Sequence, residues 1–138
     1  MAITLSDGVT TLQLPADLVW EDEHDWHPVA QEVDYTLTGA ILVHTATKLA
    51  GRPITLIGGE DHSWVVRSTV DALKAWADVA PDQQTGDGIY QLTLRGVTRD
   101  VVFRHHDGEP MASSIILYKG KEPEPSDFYQ IALKFMEV

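Results

Sequence analysis

The stretch from Asp127 to Val138, DFYQIALKFMEV, constrains the fold more than any other. Tyr129, Ile131, Leu133 and Phe135 alternate with Gln130, Ala132 and Lys134, and a period of two puts these rows on opposite faces of a strand. A helix would scatter the four apolar side chains around its axis. A strand of this length needs hydrogen-bonded neighbours along its backbone, so the rest of the chain must supply a sheet.

Candidate neighbours recur along the sequence. AITL and TTLQL flank Asp7-Gly8, a dipeptide suited to a tight hairpin turn. DYTLTGAILVHTAT alternates Tyr35, Leu37, Ile41 and Val43 with Ala40, Leu42 and His44, which predicts one long strand. A turn at Gly51 leads into a strand over Pro53–Ile57, where proline is tolerated because it stands first. SWVV predicts a short strand. IYQLTLRGVTRDVVFRH predicts a hairpin turning at Gly96, with Tyr90, Leu92, Leu94, Val101 and Phe103 inward. Asp107-Gly108 then turns the chain into MASSIILY. KGKEPEPSD is too polar and proline-rich for a strand.

One segment reads as a helix, roughly Thr69 to Val79. Val70, Leu73, Ala77 and Ala80 share a stripe, Trp76 lies beside it to cover the sheet, and Ser68 with Asp71 three residues on matches a capping box. Pro81 follows the last turn. Between about 18 and 33 the periodicity disappears among acids, histidines, two Trp and Pro28, which predicts a long polar loop. These readings give a mainly β (α+β) fold. We expect an antiparallel β-sandwich or split barrel of about eight strands with one packed α-helix, in a single domain over 1–138. A chain of 138 residues can bury roughly 68% of its unfolded surface without a metal or disulfide.

Ten Lys and Arg stand against 21 Asp and Glu, a net charge of −11. Such a chain repels phosphate backbones and anionic lipid, so neither nucleic acid nor membrane is an expected partner. The start has no basic segment followed by an apolar run, and nowhere do 18 apolar residues follow one another, so the expectation is a soluble protein without an export signal. Without cysteine there is no thiol nucleophile or disulfide, and without asparagine no N-glycosylation site.

EDEHDWHPV, Glu21 to Val29, concentrates carboxylates and imidazoles. On a helix His24 and His27 would suit a metal, but Asp25, Trp26 and Pro28 argue against a helix there, and nothing resembles HExxH or a two-histidine, one-carboxylate triad. His105 and His106 are adjacent at a predicted strand end, so they point to opposite faces. Ser113-Ser114 lies outside any GxSxG context. Glu21 with Asp25 is the kind of acid pair an acid-rich chain offers by chance. LIGGED lacks the Lys-Ser/Thr of a phosphate loop. No catalytic residue, cofactor or metal site is therefore expected.

Taken together, YTLTGAILV, AGRPITLIG, WVVRSTVDALKAWA, YQLTLRGVTRDVVFRH and FYQIALKFMEV resemble the small distal tail or minor tail proteins of long-tailed bacteriophages, over about 35–138. The resemblance implies a non-catalytic virion component, a homo-oligomeric ring, usually a hexamer, that joins the tail tube to the baseplate or tip and contacts other phage tail proteins. It also implies synthesis in the host cytoplasm. Many such proteins carry a further carbohydrate-binding or oligonucleotide-barrel-like domain, for which 138 residues leave no room. In this reading EDEHDWHPV is an interface or lumen-facing loop, with Trp20, His24, Trp26 and His27 at the contact and the two Trp as its anchors. Two rival readings are a metal-dependent hydrolase using His24, His27, His105 and His106, and a monomeric β-sandwich binding module.

Overall fold

The computed structural model describes residues 2–117 and 119–138. Its strands are β1 (Ile3–Ser6), β2 (Thr11–Leu14), β3 (Val19–Trp20), β4 (Val29–Tyr35), β5 (Ile41–Thr47), β6 (Pro53–Ile57), β7 (Val65–Val66), β8 (Tyr90–Leu94), β9 (Val97–Phe103), β10 (Met111–Ile115) and β11 (Phe128–Glu137), with one helix, α1 (Arg67–Ala77). The fold is β-rich α+β, and every strand pairing is antiparallel.

The alternating C-terminal stretch is the spine. β11 pairs β9 and β10 along one edge and β6 and β7 along the other. Its inward row, Tyr129, Ile131, Leu133 and Phe135, is buried as the sequence predicts. The main path across the sheet runs β2-β1-β8-β9-β11-β6-β3. If flat, seven strands would set its two ends about 29 Å apart. Yet β2 ends at Leu14 and β3 begins at Val19, a link that spans at most about 18 Å. The sheet therefore curls until its edges approach, as in a split barrel. The curl gathers Leu5, Leu92, Val101, Phe135, Leu56 and Trp20 into one core.

The helix starts two residues earlier than expected, and its first turn is held differently. Val66 occupies the N-cap position and no side chain caps the end. Instead the Arg67 and Ser68 N–H groups donate to the carbonyls of Asp127 and Pro125, at 2.9 and 3.2 Å. The Ser68–Asp71 capping box does not form because main chain from a distant segment already satisfies those donors. Val70, Leu73 and Ala77 are buried, whereas Ala80 lies beyond the helix and is exposed. Trp76 stacks on Tyr90 with centroids 5.0 Å apart, joining α1 to the sheet.

The largest departure from expectation is a separate two-stranded sheet. β4 and β5 pair with each other along seven residues each and, among the described residues, with nothing else. The expected long strand is thus the last two residues of β4, a turn and β5, and the expected loop over 18–33 contains β3 and most of β4. The turn closes through Thr36 N–H to the Ala40 carbonyl at 2.8 Å, with Gly39 at φ 84°. Glycine adopts that conformation without the Cβ clash other residues meet. None of the described helices is long and apolar enough to cross a membrane.

Candidate assembly surface

The acid-rich loop is a bracket between the body and the hairpin. Asp22 accepts two hydrogen bonds from Thr55, one from its N–H and one from its hydroxyl, both 2.9 Å long. The buried Arg104 reaches the same carboxylate at 3.6 Å and donates to the Phe135 carbonyl at 3.3 Å and the Thr55 hydroxyl at 3.1 Å. Its Nε lies 3.0 Å from Asp107, but the angle falls outside hydrogen-bond geometry. Glu23 pairs with Arg95 at the β8–β9 turn, which holds the Glu23 carboxyl below the usual carboxylate range. Buried charges tolerate such a site only when paired and hydrogen-bonded, so this network fixes the loop.

The four residues expected at the contact do not converge. Trp20 sits on β3 inside the core, with Arg99 over its ring at 5.3 Å. That corrects the expectation that it awaits a neighbouring subunit, because pairing of β3 with β6 buries it within its own chain. Trp26 is half-buried at the root of the hairpin, where Arg52 and Lys48 lie over its ring at 5.0 and 5.6 Å. This cationic clamp, worth about 0.5 to 1 kcal/mol per contact at such a site, steadies the angle at which β4 leaves the body. His24 and His27 are exposed, and so are His105 and His106 at the far end of β9. Among the described residues no three His, Asp or Glu side chains gather to hold a metal.

A second polar cluster links Asp17, His62 and Ser63. The Ser63 hydroxyl donates to Asp17 at 2.8 Å and lies 3.0 Å from His62 Nδ1. A nucleophilic serine gives its proton to the histidine, with the acid behind the imidazole. Here the serine's proton goes to the acid, and the bond draws the Asp17 carboxyl below its ordinary pKa. Ser63 adopts φ 61° in the loop between β6 and β7, and the arrangement ties that loop to the segment joining β2 and β3. It is a structural tie.

The distinctive surface is the hairpin itself. Val29, Gln31, Val33 and Tyr35 stand opposite Thr47, Thr45, Val43 and Ile41, so these eight side chains share one face. That face carries no charge. The other face holds Glu32, His44 and Asp34 among Ala30, Ala46 and Leu42. Both faces are open to solvent, and Val29, Val33, Tyr35, Ile41 and Val43 are all exposed, with Leu37 at the tip. The alternation of Ile41 and Val43 with Leu42 and His44 was legible in the sequence; that the row faces away from its own core was not.

No family model matches the chain, and a search of curated proteins finds no significant relative.

Proposed function

We propose that this protein is a structural subunit of a long-tailed phage tail, a ring-forming distal tail or minor tail protein rather than an enzyme. The observation that supports this reading is the β4–β5 hairpin. An amphipathic two-stranded ribbon is marginal alone in water, and its apolar face gains stability only when something covers it. The body leaves it bare, so the cover comes from outside the chain. A second copy supplies that cover in a ring, where one patch meets a different patch on the next subunit and the rotation closes. The sequence resemblance to tail proteins supplies the virion context, the sixfold count and the other tail proteins as neighbours.

A net charge of −11 per subunit opposes self-association at low salt. Assembly is therefore expected at high protein concentration and raised ionic strength. Mass measurement across a concentration series, followed by electron microscopy, should reveal closed rings. In the phage that encodes it, deleting the gene should leave particles without a tail tip or without tails. Complete, infectious tails after deletion would refute the reading.

A further inference from the structure

The hairpin's partner surface can be sought among the open edges of the curled sheet. β2 is four residues long and stops at Pro15, and β3 is two residues long between Asp17 and Glu21. Strands of two to four residues are poor templates for pairing. β10 differs. It follows Glu109-Pro110 but runs for five residues, pairs among the described residues only with β11, and from Met111 through Leu117 the sequence MASSIIL contains no charge. Ala112, Ser113 and Ser114 are exposed. An uncharged edge with Ala and Ser at its centre, left open, is an invitation to another strand.

Hydrogen-bond parity makes the match specific. Ile116 N–H donates to the Phe128 carbonyl and Lys134 N–H to the Pro110 carbonyl, so the even-numbered residues of β10 bond to β11. Met111, Ser113 and Ile115 consequently turn their N–H and C=O groups to the free edge. In the hairpin, Thr36 N–H donates to Ala40 and Lys48 N–H to Pro28, so Ile41, Val43, Thr45 and Thr47 turn theirs outward from β5. Those outward residues are also the ones on the uncharged face. β5 contains no Asp or Glu, whereas β4 carries Glu32 and Asp34. In a chain as acidic as this one, β5 is the edge that approaches another copy at least electrostatic cost.

Resting on the assembly reading above, we propose that β5 of one copy adds antiparallel to the free edge of β10 of the next. In antiparallel pairing, residues that exchange hydrogen bonds stand opposite each other with side chains on the same face. The uncharged face of the hairpin then falls on the same side as Met111, Ser113 and Ile115, toward α1. A cleft of about 420 Å³ waits there between α1 and β10, lined by Val70, Met111, Ser113 and Tyr129 together with two cations, Arg67 and Lys74, and two acids, Asp71 and Glu109. A parallel addition would turn the apolar row to the opposite side, onto Ala112 and Ser114. The contact joins unlike patches, so it propagates from copy to copy as a ring requires.

The absence of cysteine makes a clean test possible. Thr45→Cys and Ser113→Cys proteins are mixed at high concentration and raised salt, and a short bis-maleimide is added. A mixed dimer should dominate, well above that formed by Thr45→Cys with Gln13→Cys on the β2 edge. Separately, Ser113→Pro removes one outward N–H while leaving the ladder to β11 intact. It should unfold at the wild-type temperature yet lose the oligomer. Oligomers that persist in Ser113→Pro, or that cross-link through Gln13→Cys instead, would overturn the β10 assignment while leaving assembly standing. A wild-type protein that stays monomeric under all these conditions, with no cross-link, would overturn both.

Discussion

Excising the hairpin should leave the body at least as stable as before. The Lys48 N–H already donates to the Pro28 carbonyl at 2.8 Å, so replacing Val29 through Thr47 by Asp-Gly lets those two residues become the ends of a tight turn. Every residue of β4 and β5 is exposed, and none belongs to the core. Deletion therefore removes no burial from the body. Shortening a flexible connection by this much favours folding by up to ~2 kcal/mol in loop-closure entropy, and a stiff hairpin gives less. Were Val29, Val33, Ile41 and Val43 packed on their own core, the loss would be about 6 kcal/mol or more at ~1.5 kcal/mol per side chain. With roughly 4 °C of Tm per kcal/mol, the two cases are far apart. Thermal and urea unfolding of the deletion variant should show a Tm equal to or slightly above wild type. A fall of more than ~8 °C would refute the view that the hairpin projects free of the body.

Leu73→Ala, which empties a fully buried helix position, should cost about 2 to 5 kcal/mol in urea unfolding; Lys74→Ala, which removes one exposed pair with Asp78, should stay within about 0.5 kcal/mol. Asp22→Ala strips Arg104 and Thr55 of a shared acceptor and should cost about 2 to 3 kcal/mol, with Asp22→Asn recovering part of it because its carbonyl still accepts one bond. Folding draws the Asp127 carboxyl down through the Glu124 N–H and Lys119, Asp7 through the Thr10 and Val9 N–H groups, Asp17 through Ser63 and Glu23 through Arg95. Lowered folded-state values mean that their stabilisation is present above the unfolded-state pKa and is lost as pH falls through the folded-state values. A pH series should therefore show a plateau near neutrality and a decline below about pH 4, shallower in Asp127→Asn; an unchanged slope in that variant would remove Asp127 from the account.

Local chemistry alone determined much of this protein. Strict alternation identified β11 and its buried row, a leading proline and a following glycine bounded β6, and the β8–β9 hairpin was legible because Gly96, at φ 81°, suits its turn. A helical stripe located α1 and its buried Val70, Leu73 and Ala77. Periods of two and 3.6 are properties of neighbouring residues, so they survive without knowledge of the fold. Features that depend on distant partners did not. Trp20 looked orphaned because a two-residue strand has no period, and only pairing with β6 buries it. The start of α1 is satisfied by carbonyls nearly sixty positions away, which left Ser68 without its expected role. Above all, alternation in β4 and β5 marks an apolar face without saying what it faces. Whether such a row turns inward or outward depends on how the curled sheet closes and on which residues already fill its interior, and the tertiary structure alone decides that.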